Sequence, residues 1–426
     1  MNASSIRAVV IALVISWSVT ASAQQVVSQR GFVEGRGFAF AEKAPNDDVQ
    51  AIGDLLIREE VFLKPKPWAQ FAAGLDLRAN SHDQVESEWR LDFSDRSVRR
   101  PRAAVRRLTA TITASHFTVD IGKQFIRWGR ADVLNPTDRF APRDYLNVID
   151  SEFLPVLGVR PSIQIGKETF EVVVVPRFTP SRLPLFDQRW TALPPDVPSI
   201  QVRDGGSIIP AGSEQGVRWN HTGERIEMSL SYFNGFNHLP DIESQVIPTR
   251  FPDIERLLGP LAPTIALTRV YPTIRTYGAD LAIPTSVLTL KGEVCYFTSP
   301  KSTGDEYVLY VIELERQTGE WVLVGGYAGE AVTTSRNAFQ FAPDRGIARS
   351  FLGRASYTVD PRRTVAIEGA VRQSGDGVYV KGEYSQSFGQ HWRLTFTGVG
   401  ITGKAGDFLG QYNRNSHGSA ALRFSF

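Results

Sequence analysis

Over long stretches the sequence alternates apolar and polar residues with a period of two, and this alternation limits the possible folds more than any other feature. In Arg363–Arg372, Val365, Ile367, Gly369 and Val371 alternate with Thr364, Ala366, Glu368 and Arg372. Over 378–388, Val378, Val380, Tyr384 and Phe388 alternate with Tyr379, Lys381, Glu383, Ser385 and Ser387. Over 391–401, Trp392, Leu394 and Phe396 alternate with Arg393, Thr395 and Thr397. Shorter runs at 107–113 and 225–231 read the same way, with Leu108, Ala110 and Ile112, then Ile226, Met228 and Leu230, on the apolar side. Successive side chains on a strand point to opposite faces, so each segment has one apolar and one polar face. A soluble sandwich with one wet face shows the same alternation. The clearest segments, however, run for about 10–13 residues, against about 5–6 for ordinary strands and about 9–11 for a strand tilted across a bilayer.

The connections add a second rhythm. Short ones fall near 64–67, 115–116, 167–168, 222–224, 284–286, 317–320, 360–362 and 389–390. Between them lie connections near 41–53, 80–102, 129–157, 179–212, 235–267, 298–304, 334–348, 373–375 and 403–415, most of them much longer. Tight turns on one side and long loops on the other are the layout of a transmembrane barrel, and the aromatics Trp68, Trp128, Tyr232, Tyr296, Phe388 and Trp392 near segment ends suit its interfacial girdles. The expected fold is all-β, a transmembrane antiparallel outer-membrane β-barrel of about 18 strands, with 16 as the alternative because 30–40 and 54–64 are weakly patterned. Past residue 23 no apolar run has the length of a membrane helix, so a membrane chain must cross as closed strands. Arg7, the apolar run 8–17 and Ala21-Ser22-Ala23 have the layout of a secretory signal peptide. The expected organisation is a leader over 1–23 and a single barrel domain over 24–426, in the outer membrane of a Gram-negative cell.

The final strand carries a sharper signal. Gly418, Ala420, Leu422, Phe424 and Phe426 share one face, and His417, Ser419, Arg423 and Ser425 the other. An amphipathic strand ending in Phe resembles the C-terminal signature of outer-membrane proteins. The resemblance implies that Phe424 and Phe426 form an assembly signal read by the barrel-assembly machinery. A second motif, Gly122-Lys123-Gln124-Phe125-Ile126-Arg127-Trp128-Gly129 followed by Asn135-Pro136-Thr137-Asp138 and Arg143-Asp144-Tyr145, is similar to porin-like barrels, including the alginate-export type. It covers about 25 residues. The residues themselves place a turn at Asn135-Pro136, because the residue before proline avoids the helical region. They put Trp128 in the outer girdle.

Charge then frames function. Of 47 cationic residues nine are Lys, so positive charge is carried mostly by Arg, which grips carboxylates and phosphates bidentately. The net charge of +2 does not point to nucleic acid. If loop 129–157 folds inward, Arg127, Arg130, Asp132, Asp138, Arg139, Arg143 and Asp144 line a constriction, where rings of charge set selectivity. Arg225, Arg372 and Arg393 are further lumen candidates, although many such charges serve as cross-strand ladders. The cluster Arg96, Arg99, Arg100, Arg102, Arg106 and Arg107 suits lipopolysaccharide phosphates or substrate. No cofactor or metal site is expected, since six scattered His have no metal-ligand spacing. No catalytic motif appears, so His82 with Asp83 or His238 with Asp241 offers only a weak case for an outer-membrane hydrolase. The single Cys, Cys295, excludes an intrachain disulfide. The leading expectation is an outer-membrane pore that exports an acidic polysaccharide with separate periplasmic partners. The alternative is a general or substrate-selective diffusion porin passing anionic solutes.

Overall fold

A computed structural model describes residues 26–191, 201–247, 264–299, 305–335 and 342–426. The expected leader over 1–23 lies outside them. Their dominant feature is one closed antiparallel barrel of 18 strands. In chain order these are Val27–Phe40, Ala51–Lys66, Ala69–Asn80, Ala103–Ala114, Phe117–Gln124, Val156–Ile165, Glu168–Val175, Glu214–Thr222 and Glu227–Phe236. The second half comprises Thr273–Pro284, Thr289–Thr298, Glu306–Thr318, Trp321–Thr334, Ser350–Asp360, Arg363–Arg372, Gly377–Phe388, Trp392–Gly403 and His417–Ser425. Each strand pairs with its predecessor, and His417–Ser425 closes the ring on Val27–Phe40, with Phe32 opposite Ser425 and Phe40 opposite His417. Closure leaves no free sheet edge, the condition for strands to lie in lipid. The count agrees with the larger of the two expected numbers.

The alternation expected from sequence is the alternation observed. Leu108, Ile112, Phe170, Val172, Val174, Leu230, Ile312, Leu314, Ile367 and Phe396 are all exposed on the outer wall. Their strand neighbours Val173, Val175, Ser229, Val311 and Glu313 are buried inside. An exterior this apolar is stable only against hydrocarbon, so the barrel spans a membrane. The connections alternate as expected, two to four residues on one side and mostly long loops on the other. Ser115, Gly166, Gly319 and Gly389 take positive φ in the short turns. The long loops carry a separate three-stranded sheet, in which Thr264–Val270 lies between Gln201–Ile208 and Asp241–Ile247. Phe426 exchanges backbone hydrogen bonds with Gly31, which fixes the last residue onto the first strand.

Candidate functional site

The strand Phe117–Gln124 ends early, and its partner begins at Val156. At Gly122 the chain has φ 121°, and a Cβ there would overlap the Leu108 carbonyl, so only glycine fits the departure. Residues 125–155 then enter the lumen. Ile126, Trp128, Ala131, Leu134 and Phe140 are buried with Val173, Val175, Phe233, Ile274, Phe297 and Leu309 of the wall. Phe140 packs edge-on against both Trp128, at 5.0 Å, and Phe233, at 4.9 Å. The bare backbone of Gly216 makes room for the Trp128 and Phe140 rings. Trp128 therefore does not sit in the girdle. It is 3% exposed inside the barrel, and its indole N–H donates to Glu171 Oε1 at 2.5 Å. A tryptophan at a segment end reads as a girdle residue only if the chain continues along the wall, and here it turns inward.

Carboxylates of the wall hold this loop. Glu293 Oε2 accepts from the backbone N–H of Arg130 (2.9 Å) and Ala131 (3.1 Å), and its Oε1 from the N–H (2.7 Å) and hydroxyl (2.8 Å) of Thr137. Glu313 accepts from the N–H of Asp132 at 2.8 Å and of Val133 at 3.1 Å. The Arg130 side chain donates to Asp280 Oδ1 at 2.7 Å and also to Glu227. Asp132 reaches Lys291 at 2.7 Å. Within the loop, Asp138 Oδ1 accepts from Trp128 N and Gly129 N, both at 2.6 Å. Each hydrogen bond to a charged acceptor contributes about 1.5–3 kcal/mol, and the amides would otherwise be stranded away from water. Sequence alone does not single out Glu293, Glu313 and Asp280 as anchors; their signal is an inward register, Glu293 beside Cys295 and Asp280 opposite Ser229.

A second network fixes the loop from the outer side. Asp144 is 3% exposed and accepts from Arg100 Nε at 2.8 Å and Arg182 Nη1 at 3.2 Å. Burial alone would raise its pKa, but Arg100 and Arg182 outweigh this and hold the carboxyl far below the usual range. Asp144 thus ties loops together and faces no passage, which corrects its expected place in the constriction. Arg139 lies under the Phe297 ring at 4.7 Å and 3.8 Å from Asp344. His238 Nδ1 lies 2.6 Å from the Thr179 carbonyl, and burial pushes its pKa down to about 4. His82 pairs with Asp47 at 2.8 Å. A cavity of about 260 Å³ beside the loop is lined by Arg139, Arg143, His238, Arg354, Glu368 and Tyr379, among others.

The opposite wall is rich in arginine. A recess there is lined by Arg30, Arg58, Arg106, Arg107 and Arg127, against the carboxylates Glu60 and Glu152, and by Phe32, Phe125 and Phe153. Arg127 and Arg143 stack on Phe153 at 4.1 and 4.0 Å, Arg106 and Arg107 on Phe125 at 4.7 and 5.7 Å, and Arg58 and Arg423 on Phe32 at 5.4 and 4.1 Å. A β-bulge accounts for the adjacent pair: Gly74 faces Arg107 and Leu75 faces Val105, so Arg106 is the extra residue and can reach the same ring as its neighbour. Cross-strand partners hold several stems, as in Arg58–Asp76 at 2.7 Å and Arg423–Glu34 at 2.6 Å. Arg393 faces Arg423 across the strands at the short-turn end. Arg372 lies at the loop end, bound to Asp407 at 2.8 Å and to the Gly346 carbonyl at 3.0 Å. Arg225 is in the turn 223–226 and is exposed outside the spanning strands, because its strand begins at Glu227. Of the basic cluster expected to meet lipopolysaccharide or substrate, Arg106 and Arg107 line the recess, Arg100 is buried on Asp144, and Arg96 donates to the Phe178 carbonyl at 2.8 Å.

No protein-family model and no curated protein matches the chain in sequence. Solved structures do match it in fold. Acinetobacter baumannii OccAB4 superposes with a TM-score of 0.53 at 10% identity, over 93% of this chain and 97% of that one. Pseudomonas aeruginosa OpdQ gives 0.52 at 11% identity, over 94% and 98%. A BenF-like porin from Pseudomonas fluorescens gives 0.52 at 10% identity, over 94% and 97%. The chain has the fold of outer-membrane porins and is a multi-pass β-barrel of the outer membrane. The comparison backs the porin alternative better than export of a polysaccharide, and the alginate-export likeness gains no support from it.

Proposed function

We propose that the protein is a substrate-selective diffusion porin that passes small anionic solutes along its arginine-lined wall, beside the inward loop. The observation that carries this reading is the set of six arginines stacked on Phe32, Phe125 and Phe153. A guanidinium lying over a ring points its edge N–H groups sideways; Arg58, Arg423 and Arg127 spend part of that edge on Asp76, Glu34 and Asp138, and the remaining N–H groups of the set match a carboxylate or phosphate. The carboxylates of the other wall are buried beneath the loop, Glu293 and Glu313 on its amides and Asp280 on Arg130 and Arg218, and so meet little of the lumen water. Arg127 and Arg143 belong to this anion path. Arg130, Arg139, Asp132 and Asp138 shape it by positioning the loop. A lumen occupied by a tethered loop suits solutes of a few carbon atoms and opposes a hydrated polymer.

Swelling of proteoliposomes tests the proposal. Small mono- and dicarboxylates should enter several-fold faster than amines of equal size, and uronate oligomers should lose entry as they lengthen. Equal rates for acids and amines would refute the anion path. Undiminished entry of long oligomers would restore the export reading.

A further inference from the structure

Where the strand Phe117–Gln124 leaves the wall, the upper edge of its neighbour Ala103–Ala114 is uncovered. A segment of the loop 81–102 fills the gap: Leu91–Asp92 runs parallel to the barrel strand, with Leu91 beside Ala103 and Asp92 beside Ala104. Paired residues share a face. Ala104 and Asp92 are buried, and Ala104 lies opposite Asp76 on the lumen side. Ala103 lies opposite Leu77, on the outer face, and Leu91 shares it. Trp89, Leu91 and Phe93 are 69%, 61% and 41% exposed, a spacing of two that puts all three on the outside.

The same segment covers a charge. Lys123 lies opposite Leu108 and Leu157, on the outer face of the barrel, yet it is 1% exposed. Its Nζ is 2.6 Å from Asp95 and 5.3 Å from the Phe93 ring. Asp95 is also bound by Arg182 at 2.8 Å, and its N–H donates to Asp92 at 2.7 Å, which sets the turn behind Phe93. A bare lysine on a lipid face is destabilising, most strongly at mid-membrane and less near the interface.

We infer that residues 89–93 are part of the membrane-embedded surface, with Trp89, Leu91 and Phe93 in the acyl-chain boundary of the outer leaflet and the Lys123–Asp95 pair sealed beneath them. Three observations select lipid as the occupant. The patch continues the apolar wall of Leu77 and Leu108. Its backbone is hydrogen-bonded to the barrel edge, as hydrocarbon requires. Its rim carries Arg102, whose guanidinium lies over Trp89 at 5.1 Å, an amphipathic arrangement suited to the interface. Ala69 to Leu77 spans eight residues, and at a rise of about 3.3 Å and the usual tilt Leu77 lies about 20 Å above the short-turn side, near the top of an apolar band about 25 Å tall.

The test uses the full chain in phosphatidylcholine vesicles. Leu91→Cys, made in a Cys295→Ala background and labelled with an environment-sensitive fluorophore, is compared with the same label at Ser87→Cys. Nitroxide-bearing lipid should quench the label at 91 at least twofold more than at 87, and iodide should do the reverse. Equal iodide quenching at both sites would overturn the inference, as would self-quenching at 91 between copies without quenching by lipid. Trp89→Phe in the otherwise unaltered chain guards against misfolding of the cysteine variants. It should remove part of the tryptophan emission quenched by brominated lipid, and an unchanged quenchable fraction would count against the inference.

Discussion

The two sides of the lumen use charge in opposite ways. On the strands Glu227–Phe236, Thr273–Pro284, Thr289–Thr298 and Glu306–Thr318, Asp280, Glu293 and Glu313 are 6%, 3% and 0% exposed; Glu293 and Glu313 spend their hydrogen bonds on the inward loop, and Asp280 divides its own between Arg130 of the loop and Arg218 and Ser229 of the wall. On Val27–Phe40, Ala51–Lys66 and Ala103–Ala114, arginines outnumber the carboxylates around them and lie on aromatic rings. Both sets come from polar positions of the same period-two alternation. Charge that meets backbone amides becomes part of the framework, and charge left facing water is available to a solute.

The comparison breaks most readily at the acidic wall. Glu293→Ala with Glu313→Ala leaves five backbone amides of the loop without acceptors. At about 1–3 kcal/mol for each stranded group, the loop should leave the wall. Single-channel recordings should show a larger, noisier conductance, and protease should cut within 129–140. Unaltered conductance and resistance would mean that apolar packing alone holds the loop.

The arginine wall should respond in selectivity and not in stability. Neutralising Arg106, Arg107, Arg127 and Arg143 to Gln should move the reversal potential toward cations, by several-fold in permeability ratio, at nearly unchanged thermal stability. Phe153→Leu is the sharper probe, because it keeps every charge and removes a ring under two guanidiniums, each contact contributing about 0.5–1 kcal/mol. It should shift the reversal potential the same way by a smaller amount, and no shift would mean that stacking does not aim the arginines.

The smallest expected effect is on pH. Burial holds His238 neutral, with a pKa pushed down to about 4. The unfolded chain takes up a proton near the ordinary value of about 6.5 and the folded loops do not, so stability is complete above that value and declines as pH falls toward 4. Asp144, also depressed, adds a loss only below the ordinary carboxylate range. Protection factors, taken relative to the intrinsic exchange rate at each pH, should therefore fall in residues 179–183 and 236–240 between pH 6.5 and 4, and His238→Gln should flatten that dependence.

The barrel itself was legible because lipid outside and water inside impose one period on every strand, which also gave the short and long connections and narrowed the strand number to 18 or 16. A charged insertion over 129–157 between two strand patterns was legible, but its inward course was only one of two readings. Its partners were not legible, because Glu293 and Glu313 have the same inward register as any solvated lumen carboxylate and meet the loop more than 150 residues away in sequence. Arg106 escaped because a bulge breaks the alternation without leaving a mark in composition, Trp128 because the chain turns inward just where the pattern assumes it runs on, and Lys123 because a segment of the loop 81–102 covers it from outside.

The most direct test of the account is the reversal potential of the purified barrel in a planar bilayer under a salt gradient. Steady openings with clear anion preference are the predicted result. A cation preference, or conduction without preference, would contradict the claim that the arginine wall carries the solute.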